Sequence, residues 1–138
     1  MPALHKIDDD NRLITTTWTG EATDAGLIDA FLQYHRDVKG KPEYYAYNEI
    51  VDFSKTDDFN LSLDGLRKLV NMTSSKDVHG VKTKLAIVVT LPSAYGLARM
   101  YEIFRSIRPN TTKELRIFRE YSHAVAWIVQ NLDIISVM

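Results

Sequence analysis

Residues 84–90 read KLAIVVT, and this stretch decides the fold class. Residues 85–89 are all apolar, and three of them are β-branched, which favours a β-strand. A strand that is apolar at successive positions, rather than at alternate ones, is typical of the buried centre of a parallel sheet. The stretch therefore predicts a parallel sheet that is covered on both faces.

The flanking sequence alternates further strand and helix patterns. Strands are predicted over residues 12–20, 45–53 and 115–118, and residues 4–7 are predicted to pair with the first of them as a hairpin. Apolar residues at helical spacing predict helices over residues 23–39 and after Ser62, Pro92 and Ser122, with Thr23 or Asp24, Ser62 and Ser122 as N-caps. The aspartates at 52, 57 and 58 predict a polar loop after the second long strand.

The predicted element order is β-β-α-β-α-β-α-β-α. Strands that alternate with helices imply parallel strands joined by right-handed crossovers. We expect one α/β domain over residues 1–138, with a mixed, mostly parallel five-stranded sheet and about four helices.

Composition excludes several classes of function. The net charge of −1 argues against a dedicated nucleic-acid binder, which carries a basic surface. Cysteine is absent, so disulfides and thiolate chemistry are excluded. No signal peptide and no apolar run of about 20 residues is visible, so a cytoplasmic protein without a transmembrane segment is expected.

Three segments resemble one family of proteins. TWTGEAT at 17–23 resembles a strand that ends in glycine before the first helix, and IVDFS at 50–54 resembles the family's V-D-L/F strand end. Ile117 and Phe118, followed by Ala124, Trp127 and Ile128, resemble its closing strand and its A-x-x-W-L helix. In their order and spacing these segments resemble the bacterial SpoIIAA-like proteins, which have a STAS-type fold related to the Sec14 lipid-binding fold.

The resemblance implies a mixed sheet with helices packed on it, and a phosphorylated serine at the start of the second helix in some members. The corresponding stretch is NLSLDG at 60–65, where Ser62 and Gly65 match the family's D-S-S-G motif and the aspartate–serine pair does not. Ser62 is therefore either a phospho-switch or an ordinary N-cap.

A second candidate site is the junction between the strand at 84–90 and the next helix. Ligands bind at such carboxyl ends of strands in open α/β sheets, and free N–H groups there attract anions. Thr90, Ser93, Tyr95 and Gly96 are the candidates, although no phosphate-loop or dinucleotide motif is present and every strand-to-helix turn needs a cap.

Catalytic and metal motifs are absent from the sequence. The four histidines are scattered, and no serine lies in a G-x-S-x-G elbow. Asp52, Asp57 and Asp58 suit Mg²⁺ chemically, but solvated turn aspartates have the same pattern. We expect no enzyme activity, no cofactor and no metal.

Aromatic residues suggest a contact surface. Trp18, Tyr45 and Tyr47 lie on the predicted strands, and such residues suit interfaces because they combine a large area with a polar atom. We expect either a homodimer through this face or through the apolar tail at 133–138, or burial of these aromatics in the helix-side core.

The function that these features favour is a non-catalytic regulatory module that binds a protein partner. The alternative is a carrier or sensor of a small apolar or lipid-like ligand. That alternative requires a cavity between the helices and the sheet, lined by residues such as Phe31, Leu66, Tyr101 and Phe104. A filled core would favour the first function, and an apolar cavity would favour the second.

Overall fold

A computed structural model describes residues 3–75, 80–108 and 112–137, with the side chains of the last segment described up to Gln130. The side chains of the tail at 133–138 therefore lie outside the described part of the chain. The elements are β1 Ala3–Asp8, β2 Leu13–Thr23, α1 Asp24–Val38, a 3₁₀ helix Pro42–Ala46, β3 Asn48–Asn60, α2 Leu63–Ser74, β4 Thr83–Val88, α3 Pro92–Ser106, β5 Lys113–Phe118 and α4 Tyr121–Val137.

The five strands form one mixed sheet in the order β1-β2-β3-β4-β5. β1 pairs with β2 in antiparallel fashion, and the other neighbours are parallel. All six residues of β4 are buried, as the apolar run in the sequence predicted. The predicted α/β class, strand number and element order are confirmed.

Three helices cover one face of the sheet and the fourth covers the other. α1 packs beside α2 and α2 beside α3, on the face that presents Leu85, Ile87 and Val89. Sequential strand order places these helices together because right-handed crossovers keep them on one side. α4 packs on β3, β4 and β5 from the opposite side. We call the two sides the cavity face and the α4 face.

Side-chain caps begin two of the helices where the sequence predicted them. The hydroxyl of Thr23 accepts a hydrogen bond from the backbone N–H of Gly26, and that of Ser62 accepts one from Gly65. Each cap satisfies one backbone donor that has no partner inside the helix. Ser122, in contrast, lies inside α4 and does not precede it.

β3 differs from the sequence-based prediction at both ends. Tyr45 belongs to the 3₁₀ helix, in which the N–H of Tyr47 donates to the carbonyl of Tyr44, so the strand begins only at Asn48. At the other end, Asp57 and Asp58 continue the strand where a loop was predicted. They do so because the second half of β2 pairs with this part of β3: Asp58 is opposite Glu21, and Asp57 lies at the register shift before it. Both side chains remain exposed.

Candidate functional site: a cavity between the sheet and three helices

A cavity of about 220 Å³ lies between the sheet and helices α1, α2 and α3. Its walls are mainly apolar and aromatic side chains from all of these elements. The residues that form its apolar part include Trp18, Leu27, Phe53, Phe59, Leu66 and Leu97. Cavities of this kind are typical of small-molecule sites.

Aromatic rings hold the apolar part of the cavity in shape. The indole of Trp18 lies 6.1 Å from the ring of Phe53, and Phe53 meets Phe59 edge to face at 5.4 Å. The indole N–H of Trp18 donates to the carbonyl of Glu21 at 3.1 Å. Because that polar atom is already satisfied, the indole ring contributes an apolar wall.

Polar side chains gather at the end of the cavity near the amino ends of the parallel strands. Glu49 lies near the start of β3, and Lys113 is the first residue of β5; Nζ of Lys113 is 3.6 Å from Oε1 of Glu49. Across the sheet, the ring of His5 is hydrogen-bonded to the hydroxyl of Thr16 at 2.7 Å. Tyr34, near the end of α1, reaches the same region, with its ring 4.8 Å from that of His5. We call His5, Tyr34, Glu49 and Lys113 the polar pole.

The hydroxyl of Tyr34 is buried and has no hydrogen-bond partner within the described structure. Burial raises the pKa of this phenol, and the negative charge of Glu49 raises that pKa further. Tyr34 is therefore neutral at physiological pH. A buried hydroxyl without a partner lowers stability, because its hydrogen bonds to water are not replaced.

Several other polar groups that line the cavity are hydrogen-bonded within the protein. The hydroxyls of Tyr101 and Thr73 are hydrogen-bonded at 2.7 Å, and the hydroxyl of Tyr45 is bonded to the ring of His35. The guanidinium of Arg105 donates to the hydroxyl of Ser74 at 2.6 Å. The hydroxyl of Tyr34 differs in this respect from the hydroxyls of Tyr45 and Tyr101.

Burial also affects the charge state of the polar pole. It lowers the pKa of His5 below the ordinary value of 6.5, although the carboxylates of Asp37 and Glu49 oppose this change. At neutral pH His5 is therefore uncharged. The remaining charges, on Glu49 and Lys113, have opposite signs and lie close together.

The cavity residues predicted for the ligand-binding alternative are largely confirmed. Phe31, Leu66 and Tyr101 line the cavity. Phe104 does not, and its ring instead lies 5.9 Å from the guanidinium of Arg67.

Ser62 lies outside the cavity, in an exposed contact between α1 and α2. Its hydroxyl donates to Oδ2 of Asp24 at 2.6 Å, and its backbone N–H donates to Oδ1 at 3.0 Å. The same hydroxyl accepts the N–H of Gly65. Ser62 is thus an N-cap that also ties the starts of two helices together, and its phosphorylation stays a prediction.

The junction after β4 does not converge on a pocket. Thr90, Ser93 and Gly96 are exposed, and the half-buried ring of Tyr95 lies 4.7 Å below the guanidinium of Arg119. None of these four residues lines the cavity. Ala94 and Leu97 do, because they face the sheet from the first turns of α3.

The aromatic residues expected at an interface lie in the interior. Trp18 is 2 % exposed and Tyr47 is 7 % exposed, and the hydroxyl of Tyr47 donates to Asp9 at 2.8 Å. Tyr45 is half-buried and lines the cavity. The placement of Trp18 and Tyr47 on an open face is corrected, because the helices and the 3₁₀ turn cover that face. A homodimer stays a prediction.

The aspartates considered for Mg²⁺ do not form a cluster. Asp52 is buried and accepts the N–H of Ser54 at 2.9 Å, while Asp57 and Asp58 are exposed. Within residues 3–75, 80–108 and 112–130, no three carboxylates or histidines are arranged to hold a metal ion. In the same part of the chain, no helix is both long and apolar enough to cross a membrane.

The polar pole was missed by sequence reasoning. Its four residues come from β1, α1, β3 and β5, and no spacing along the chain connects them. Tyr34 fitted the apolar stripe of α1, and His5 was one of several scattered histidines. One signal in the sequence could have pointed to the polar pole. Glu49 is a charged residue in a strand that continues with the apolar residues Ile50 and Val51.

The arrangement of sheet and helices is shared with a solved structure. An uncharacterized protein from Shewanella loihica PV-4, described as a member of the DUF3478 family with a SpoIIAA-like fold, matches 91 % of both chains with a TM-score of 0.53 and 15 % sequence identity. This chain has a SpoIIAA-like fold. At that identity the likeness concerns the fold and carries no residue roles. No protein-family model and no curated protein matches the chain.

Proposed function

We propose that this SpoIIAA-like chain is a non-catalytic carrier or sensor that binds one small, mainly apolar molecule between the sheet and helices α1–α3. The cavity supports the proposal. It lies between packed elements, it is lined mostly by apolar side chains, and the buried hydroxyl of Tyr34 in its wall has no hydrogen-bond partner among the described residues.

The size of the cavity limits the ligand. An apolar cavity of about 150 Å³ engineered in another protein binds benzene. Scaled to about 220 Å³, the same packing holds about nine non-hydrogen atoms. Indole and medium-chain alcohols are of this size, whereas a two-chain lipid is far too large.

A regulatory role is compatible with this proposal. Helices α1 and α2 form part of the cavity wall, and they also carry the exposed contact between Asp24 and Ser62. A ligand that changes the packing of these helices would also change the geometry of that exposed contact. Ligand binding and partner recognition would then be two parts of a single sensor.

The test is titration of the purified protein with indole, ethylbenzene and n-octanol, followed by calorimetry and by amide chemical shifts. We expect saturable binding by at least one of them, with shifts concentrated on residues that line the cavity. Ala98→Leu fills space from α3 and is expected to abolish binding.

The matched control is Ala126→Leu on the exposed side of α4, which is expected to leave binding unchanged. Failure of all three compounds to bind the wild-type protein would contradict the proposal. Equal binding by the wild-type protein and Ala98→Leu would place the ligand elsewhere.

A further inference from the structure

One group of the polar pole, the hydroxyl of Tyr34, can form hydrogen bonds that it does not form with the described residues. The hydroxyl of Tyr34 is buried, has no hydrogen-bond partner among residues 3–75, 80–108 and 112–130, and belongs to a residue that lines the cavity. Neighbouring hydroxyls of the same cavity, on Tyr45 and Tyr101, are satisfied by His35 and Thr73. An orphaned buried hydroxyl in a ligand-sized space is explained if a bound molecule supplies its partner.

Charges at the polar pole balance one another. Glu49 and Lys113 form an ion pair with 3.6 Å between the charged atoms, and their side chains are 24 % and 9 % exposed. His5 is hydrogen-bonded to Thr16 and contributes no charge at neutral pH. An ion brought here would meet one like charge of this pair. The guanidinium of Arg105, which also lines the cavity, is hydrogen-bonded to Ser74. An ion of either sign would also lose its hydration on entering the cavity.

Glu49 and Tyr34 together offer an acceptor and a donor. Glu49 and Tyr34 both line the cavity, and the carboxylate has lone pairs beyond those facing Lys113. Because the phenol stays neutral, its O–H is available as a donor. A group that both donates and accepts would use both residues.

We propose, building on the function above, that the ligand is an uncharged amphipathic molecule with a single hydroxyl-type head. Its head lies between Tyr34 and Glu49, and its apolar body of about nine non-hydrogen atoms lies against Trp18, Phe53 and Phe59. The hydroxyl of Tyr34 donates to the oxygen of the head, and the head donates to Glu49. Neutrality leaves the pair of Glu49 and Lys113 intact.

The test compares ligands that share a body and differ in the head. We use n-octanol, octanoate, octylammonium and heptyl methyl ether, which has the size of octanol but no donor. Calorimetry on the wild-type protein is expected to rank octanol first. Its advantage over the ether, which cannot donate to Glu49, is expected to be about ten-fold or more, as one hydrogen bond to a charged group gives, and its advantage over either ion is expected to be about ten-fold or more as well.

Tyr34→Phe removes only the orphaned hydroxyl. Octanol and the ether are then both expected to bind several-fold more weakly, because the oxygen of each accepts a hydrogen bond from Tyr34, and octanol keeps its advantage over the ether because it still donates to Glu49. The ligand-free variant is expected to melt at a higher temperature than the wild type, because a buried unsatisfied group is gone. Tyr47→Phe is the matched control: Tyr47 does not line the cavity, and the change breaks its bond to Asp9, so it should lower Tm and leave the affinities for octanol and the ether unchanged.

Glu49→Gln tests the balance of charge separately. It leaves Lys113 without its counter-charge, so the affinity for octanoate is expected to rise relative to octanol. A structural role for Glu49 alone would weaken all four ligands alike.

The outcomes separate this inference from the proposed function. If octanoate or octylammonium binds the wild type more tightly than octanol, the head is charged and the inference is wrong, although the cavity still binds ligands. If all four bind equally and Tyr34→Phe changes nothing, the polar pole does not recognise the head. If none of the compounds of this size binds, the proposed function fails as well.

Discussion

The α4 face and the cavity face of the sheet use the same strands but pack in different ways. On the α4 face, Ile50 and Val88 meet Trp127 in a buried cluster that includes the small residues Ala86 and Ala124, both fully buried. On the cavity face, aromatic residues from β2 and β3 stand between the strands and three helices, and about 220 Å³ remains open. Small residues let α4 approach the sheet closely, whereas large rings on the other side leave space between them.

The two faces also treat buried polar groups differently. Lys84 reaches across the α4 face, where its Nζ donates to the carbonyl of Trp127 at 2.7 Å and lies 4.8 Å from the indole ring. Arg116 lies over the same ring at 5.3 Å. On the cavity face, the hydroxyl of Tyr34 has no such partner. The α4 face is filled by its own side chains, whereas the cavity face keeps open space beside that hydroxyl.

Removal of the central ring of the α4 face is expected to have the largest effect. Trp127→Ala leaves a cavity in a filled core, so we expect the free energy of unfolding to fall by about 3–5 kcal/mol. Urea denaturation measures it. The control is Tyr121→Ala, since Tyr121 is exposed on the same helix and its loss should change little. A loss below about 1 kcal/mol for Trp127→Ala would mean that the α4 face is not tightly packed.

Substitutions that enlarge a side chain are expected to distinguish the filled face from the hollow face most directly. Ala124→Leu overpacks the α4 face and is expected to lower the free energy of unfolding by about 1–3 kcal/mol. Ala98→Leu adds the same atoms beside the cavity, where space exists, and is expected to be nearly neutral. Both variants are compared by thermal and urea unfolding. Equal losses for the two would remove the distinction between a filled and a hollow face.

Glycine substitutions test the contact between α1 and α2 on the cavity face. The expected changes in the free energy of unfolding are smaller, and the two substitutions are expected to differ. A Cβ at Gly65 would overlap the carboxylate of Asp24, which would then have to give up its bonds to Ser62. A Cβ at Gly96 would meet nothing, so Gly96→Ala is expected to stabilise the protein by about 1 kcal/mol. We expect Gly65→Ala to fall short of Gly96→Ala by about 1–2 kcal/mol in urea unfolding. If the two substitutions stabilise equally, Asp24 does not hold the helices together.

The smallest effect concerns pH at the polar pole. The pKa of His5 is lower in the folded protein than its ordinary value of 6.5, so the unfolded chain binds a proton more readily. The contribution of uncharged His5 to the free energy of unfolding is fully present above pH 6.5. It is lost as the pH falls from 6.5 through the lowered pKa of His5. We expect His5→Gln, which keeps a hydrogen-bonding group near Thr16, to be less sensitive to acid between pH 7 and 5. The pH dependence of urea midpoints measures this, and an unchanged dependence would contradict the placement of His5.

Local patterns in the sequence were sufficient for the elements and their order. The run at 84–90 identified a strand buried on both sides, because only a central parallel strand tolerates apolar side chains at successive positions. The hydroxyls of Thr23 and Ser62 identified two helix starts, because a cap acts within a few residues of itself. The extent of β3 was missed at both ends, since its second half is held by pairing with β2.

The candidate site could be identified only from the tertiary structure. His5, Tyr34, Glu49 and Lys113 lie on four separate elements, and their meeting depends on how strands pair and which face each helix covers. The burial of Trp18 and Tyr47 has the same origin. By itself the sequence determined an α/β chain with a SpoIIAA-like order of strands and helices, because propensity, periodicity and capping act over short distances. The tertiary structure decided which face is filled, which is hollow and which hydroxyl lacks a partner, because those properties depend on packing between residues far apart in the chain.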